Sequence, residues 1–168
     1  MRKIISILVI IAFTISLFGC AFPDVMSVES TTSTQNAKLF YDKVCECKEI
    51  IDFVATDVCA AWKDAVFDYN LTTKDINAAI ENAKEAHSEN IGKINELDKE
   101  IIVLFDGASE DNMGISAEYA LKQVMKAYAE YKDAVLYANE ALDSRGYHSI
   151  SVSKEALDRA LRDLFVEL

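Results

Sequence analysis

From Phe40 onward, apolar residues return in alternating steps of four and three: Phe40, Val44, Cys47, Ile51, Val54, Val58, Ala61 and Ala65. A 3.5-residue spacing held for nearly four heptads demands a long α-helix that buries one continuous stripe against other helices. A second stripe, Ala55, Cys59, Trp62 and Val66, widens the apolar face. That width suits a bundle helix rather than a two-stranded coiled coil. The pattern predicts a helix from Asn36 to about Tyr69, roughly 50 Å long at 1.5 Å per residue.

The rest of the chain repeats the theme. Asn70-Leu71-Thr72 reads as a break, with Thr72 or Thr73 as N-cap and Asp75 in the first turn of a second helix. That helix is predicted to run to about Phe105 through Ile76, Ile80, Ala83, His87, Asn90, Ile94, Leu97, Ile101 and Leu104. Its middle, residues 88–93, is weak because Gly92 and polar side chains stand where a seam wants Leu. Gly107 reads as the C′ residue that ends it, with an acidic loop from Ala108 to Gly114. Ser116 is the expected cap of a third helix on Leu121, Val124, Tyr128, Tyr131, Val135, Ala138 and Leu142. Residues 143–148 are expected to break it. Ser153 would then cap a short fourth helix on Leu157, Leu161, Leu164 and Leu168.

Only one Pro and five Gly occur, and no segment alternates as a strand does. Short connections force neighbouring helices antiparallel. The expected fold is therefore all-α: an elongated antiparallel up-down helical bundle of three long helices plus one short C-terminal helix.

The N-terminus reads as an address rather than as part of that bundle. Arg2 and Lys3 precede an apolar run from Ile4 to Phe18, the pattern of a secretory signal peptide. The run is shorter than the ~20 apolar residues of a membrane span. It ends in Leu17-Phe18-Gly19-Cys20, which resembles the lipobox of bacterial lipoproteins. The resemblance implies cleavage between Gly19 and Cys20 and a diacylglyceryl (palmitate-bearing) anchor on Cys20. Two acyl chains make a stable anchor where one is marginal, at ~0.8 kcal/mol per buried CH₂. The expected division is residues 1–19 as signal peptide, 20–35 as lipidated Cys20 and a Ser/Thr-rich flexible tether, and 36–168 as the helical bundle. The expected location is the extracytoplasmic face of the cell membrane. Ala21, rather than Asp, after the cysteine implies no inner-membrane retention in a two-membrane cell.

Without residues 1–19, 149 residues remain, enough for one domain that needs no staple. Loss of Arg2 and Lys3 moves the net charge from −11 to −13. Such a domain repels phosphate backbones and anionic headgroups, which excludes nucleic acid as a partner and argues against lying flat on a bilayer.

Few residues in the sequence point to chemistry. Cys45, Cys47 and Cys59 remain after acylation of Cys20, and Cys59 lies ~21 Å from Cys45 along one helix. A disulfide needs Cα atoms within ~7 Å, so no intrachain bridge forms among them on a continuous helix. Cys45, near the edge of the apolar face, could pair with another molecule. No CxxC occurs, and an i, i+2 cysteine pair cannot chelate from a helix, so no metal and no cofactor are expected. His87 reads as a buried polar layer beside Asn90, and His148 as a solvated loop residue. Glu46, Glu49, Asp52 and Asp57 read as a solvated face. Of Tyr119, Tyr128, Tyr131 and Tyr137, Tyr128 and Tyr131 lie on the core seam. No nucleophile, phosphate-loop or zinc-protease motif appears, and the chain is not expected to be an enzyme.

Four further stretches, residues 62–66 (Trp62 to Val66), Asp75-Ile76-Asn77, residues 128–131 (Tyr128 to Tyr131) and Gly146, follow an order similar to that of small exported helical proteins of Gram-positive bacteria and their prophages. That resemblance implies a surface helical protein and lends no activity or site. The expected function is a lipid-anchored extracytoplasmic helical protein acting as an interaction or scaffold module at the envelope. Its partner would be an envelope protein or a second copy, with a candidate binding surface at Trp62 and Cys45. The alternative is a solute- or cation-binding lipoprotein using the acidic faces or the region of His87 and Asn90.

Overall fold

The computed structural model describes residues 28–68, 73–110, 113–138 and 144–168. The expected signal peptide, Gly19, Cys20, the first part of the tether and the break at 70–72 lie outside the described residues. Five helices make up the fold: α1 (Val28–Phe67), α2 (Thr73–Ala86), α3 (Ser88–Glu110), α4 (Ile115–Leu136) and α5 (Ser144–Glu167). The protein is all-α, as the apolar spacing requires.

The register follows from contacts between named side chains. The Phe40 and Phe105 rings lie 5.8 Å apart and Lys43 pairs with Glu100 at 3.2 Å, so α1 and α3 run antiparallel. Tyr41 meets Phe165 at 5.9 Å and Trp62 meets Tyr147 at 5.6 Å, so α1 and α5 are also antiparallel. Cys47 touches Tyr128 and Asp52 touches Tyr131, which makes α4 parallel to α1. The result is an up-down-up-down bundle in which α2 and α3 together form the second rod.

The seam of α1 is the core. Phe40, Val44, Cys47, Ile51, Val54, Val58 and Ala65 are buried, facing Ile80, Ile94, Leu97 and Ile101 of the second rod. Leu121, Val124, Tyr128, Tyr131 and Val135 close it from α4, and Leu157, Leu161 and Leu164 from α5. Fully burying each of these larger apolar side chains contributes roughly 1.5–3 kcal/mol relative to exposure. Ala61 is only half-buried, and Val66 at the edge of the second stripe is exposed.

Several expected boundaries are corrected. α1 begins at Val28, so residues 28–35 of the expected tether are helical. The second rod breaks at one residue, His87, rather than fading over 88–93. The His87 amide donates to the Lys84 carbonyl at 3.0 Å, and the His87 carbonyl receives the Ile91 amide at 2.9 Å. Gly107 does not end α3, because Ala108 beyond it is fully buried and holds the last turn in place. Ser116 is not the cap of α4; Gly114 is, with extended backbone and no side-chain cap.

The C-terminal helix is not short. At 24 residues it is longer than the 22 of α4. It starts at Ser144, through the segment expected to be a break, and Ser153 sits inside it. The Ser153 hydroxyl donates to the Ser149 carbonyl at 2.7 Å instead of capping. Glycine inside a helix costs about 1 kcal/mol, and the burial of Ile150 and the Tyr147–Trp62 stack offset it at Gly146. His148 is exposed, as expected, but on a helix. Lys84 of α2 reaches across to the end of α4 and donates to the carbonyls of Leu136 and Ala138, at 3.4 and 2.9 Å. A cation there satisfies orphan carbonyls and opposes the negative end of the helix dipole.

Candidate functional site

Polar groups enter this bundle in three places. Near the α2–α3 break, the His87 ring is 7 % exposed and sits edge-on to Phe53 at 5.0 Å. Its Nε2 lies 2.7 Å from Asp57 Oδ2, and its Nδ1 lies 3.1 Å from Asn90 Nδ2. A neutral ring with its proton on Nε2 satisfies both contacts at once. The expected polar layer is present, and Asp57 belongs to it rather than to a purely solvated face.

One turn of α4 carries the other two. Tyr128 donates to Asp98 Oδ1 at 3.0 Å, and Lys132 pairs with the second oxygen of Asp98 at 2.8 Å. With the Tyr128 proton committed, the Cys47 thiol at 3.4 Å is the donor to its hydroxyl oxygen. Burial, then the neighbouring thiol and carboxylate, push the Tyr128 hydroxyl far above the ordinary tyrosine range. Burial also raises the Cys47 thiol, so it is an inert packing group.

On the opposite flank Asp52 collects three donors. Tyr131 reaches Oδ1 at 2.6 Å, Lys154 the same oxygen at 2.9 Å, and Lys48 reaches Oδ2 at 2.8 Å. Lys48 also pairs with Asp158 at 3.0 Å. Burial would raise the Asp52 carboxyl, but these hydrogen bonds outweigh it and hold the group below its usual value. Asp52 is thus a structural hub, not a member of the expected solvated face.

Above that hub lies a groove of about 380 Å³ between α1 and α5, within the size range of small-molecule sites. One wall is a stripe of α1, from Asp52 through Ala55, Thr56, Cys59 and Ala60 to Lys63. The other is a stripe of α5, Tyr147, Ile150, Ser151 and Lys154, and Tyr131 forms the floor. Small side chains at 55, 59, 60 and 151 leave the space open. Burial raises the Cys59 thiol on its wall above the usual cysteine value.

The expected surface at Trp62 and Cys45 does not come together. The two residues lie on α1 about 25 Å apart along its axis. Cys45 is half-buried against the core near Tyr41, with its thiol raised first by burial, and no disulfide joins the three described cysteines. Trp62 stacks on Tyr147 beside the groove at 5.6 Å with an interplanar angle of 22°. Its indole Nε1 is buried without an acceptor among the described residues. Sequence reasoning missed Lys63, Ser151 and Lys154. The run of small residues beside Trp62 was the available signal, but it reads equally as close helix packing.

A second concavity of about 530 Å³ lies on the outer face of α1 and α3, between Leu39, Lys43, Lys99, Glu100, Val103 and Leu104. Leu39 and Val103 are exposed there, and Ile102, next to Val103 in α3, is exposed as well. Ile115, Tyr119, Phe165 and Val166 are exposed on α4 and α5. The antiparallel register places all seven at the end of the bundle where α1 begins. Among the described residues, no helix is long and apolar enough to cross a membrane. No group of three or more His, Cys, Asp or Glu in the described part is arranged to hold a metal ion.

No family model matches the chain, and neither a curated protein nor a solved structure is significantly similar to it.

Proposed function

We propose that the protein is a lipid-anchored extracytoplasmic helical module that engages another envelope protein through one end of its bundle. The supporting observation is the crowd of exposed apolar side chains at the end where α1 begins, with Val103 70 %, Ile115 88 % and Val166 82 % exposed. Clustered apolar exposure of this kind marks contact surfaces on soluble folds. The leader and the Leu17-Phe18-Gly19-Cys20 resemblance support an anchor that precedes α1 in the sequence. A partner that meets this rim therefore sits close to the membrane.

The test combines anchorage and contact. Cys20→Ala should release the chain from washed membranes. A photo-cross-linker at Val103 or Phe165 should capture one reproducible envelope protein, whereas the same group at Phe67, on the opposite end, should not. Retention of Cys20→Ala in membranes removes the anchor, and equal capture at all three positions removes the docking end.

A second reading, a solute-binding lipoprotein, is favoured by the α1–α5 groove. It requires the groove to be occupied by a small molecule rather than by a neighbouring protein.

A further inference from the structure

We infer that the α1–α5 groove binds a small organic anion with an aromatic or apolar body; this rests on the solute-binding reading. The groove is lined by two kinds of surface. Ala55, Cys59, Ile150 and the ring of Tyr147 offer an apolar bed, backed by the Trp62 indole. Lys63 and Lys154 stand on opposite walls, on α1 and α5.

Charge decides the ligand class. Asp52, the one carboxylate in the lining, already holds two ammonium groups, Lys48 and Lys154, and the Tyr131 hydroxyl, so its charge is met before any cationic ligand arrives. Lys63 makes no ion pair among the described residues. Its exposed ammonium therefore stands on the wall of the groove with no carboxylate partner of its own. The lining carries Lys63 and Lys154 against the one carboxylate of Asp52, a formal +1 in a chain of net charge −11. A cationic solute would meet Lys63 and Lys154 unfavourably, and a neutral one would gain nothing from either ammonium. A carboxylate, sulfonate or phosphate on an apolar body uses both features: the anion on Lys63 with Lys154 in reach, the body over Tyr147 and Ile150.

Trp62 is the only tryptophan in the chain and stacks on Tyr147 of the groove wall, so energy transfer from it reports a probe bound nearby, and Ala60→Phe assigns that probe to the groove. It lies roughly 50 Å along α1 from Val28, far from probe dissolved in the bilayer. The experiment uses the full chain in phosphatidylcholine–phosphatidylglycerol vesicles, with dansylglycine as the aromatic anion, dansylamide as its uncharged counterpart and the Trp62→Phe chain as background. Dansylglycine should give saturable transfer, and dansylamide at least about tenfold weaker binding, the loss of one charge-assisted hydrogen bond. Lys63→Glu should weaken dansylglycine to a similar extent. Ala60→Phe, which fills the groove from an exposed position, should abolish transfer, with helical melting confirming that both variants fold. Equal binding of the two probes, or no effect of Lys63→Glu, overturns the anion while leaving a solute-binding groove. Unchanged transfer in Ala60→Phe overturns the site. No transfer with either probe overturns the inference and the solute-binding reading together.

Discussion

Tyr131, fully buried, donates a 2.6 Å hydrogen bond to the partly buried Asp52, 79 positions away in the chain. Tyr131→Phe removes the hydroxyl but keeps the ring, so the loss reads the hydrogen bond. The carboxylate keeps Lys48 and Lys154. A hydrogen bond to a charged group contributes roughly 1.5–3 kcal/mol, and the two remaining donors place the cost at the lower end. Tyr128→Phe should cost a similar amount, because it also strands the Cys47 thiol. Chemical denaturation, with the midpoint shifted and the slope unchanged, checks both.

At the break between α2 and α3 the two partners of one hydrogen bond should behave unequally. Asp57 is half-exposed and His87 is buried against Phe53. Asp57→Ala should therefore cost less than about 1 kcal/mol, in line with exposed pairs. His87→Ala should cost about 2–3 kcal/mol, since it opens a cavity and strands Asn90. Thermal melts of the two variants give the ordering directly, and the reverse order would contradict the burial described.

Gly92 and Gly107 both lie inside α3. A methyl group at Gly92 meets nothing within 4 Å, and at Gly107 it meets only the amide end of Asn36 at 4.0 Å. Each Gly→Ala change should stabilise the protein by about 0.5–1 kcal/mol through helix propensity and a less flexible unfolded chain. A higher melting temperature in both single variants is the expected result.

Stability should fall at both extremes of pH, for opposite reasons. Asp52 is held below its ordinary value in the fold, so the unfolded chain binds more protons, and stability is lost as pH drops from about 4 through the folded value. Cys45, Cys47, Cys59, Tyr128 and Tyr131 are all raised, chiefly by burial. Their contribution is complete below the free thiol value of about 8.5 and is lost as pH rises beyond it. Tyrosinate absorbance from Tyr128 and Tyr131 should appear only together with unfolding, which paired absorbance and circular-dichroism titrations can follow.

The seam of α1 was legible because steps of four and three survive any detail of packing, and every position the spacing names except Ala61 is buried. Helix ends were less so. Gly107 and Gly146 carry turn chemistry, yet Ala108 and Ile150 beyond them are buried, and tertiary burial outweighs about 1 kcal/mol of propensity. Asp52 and Asp57 look like surface carboxylates in a one-helix view. Their donors, Tyr131, Lys154 and His87, arrive from other helices, and no local pattern announces that pairing. The groove was hidden for the same reason: its walls are two stripes that only the antiparallel placement of α1 and α5 brings face to face.

Because α1 touches every other helix and is made first, its partners reach it late. Tyr131 follows Asp52 by 79 residues, roughly 4–16 s at ordinary rates of synthesis. Through that interval the nascent chain carries a long greasy strip that only the α2–α3 rod can shield. The last helix, α5, completes the enclosure, so a chain truncated before residue 144 would keep its most aggregation-prone surface uncovered.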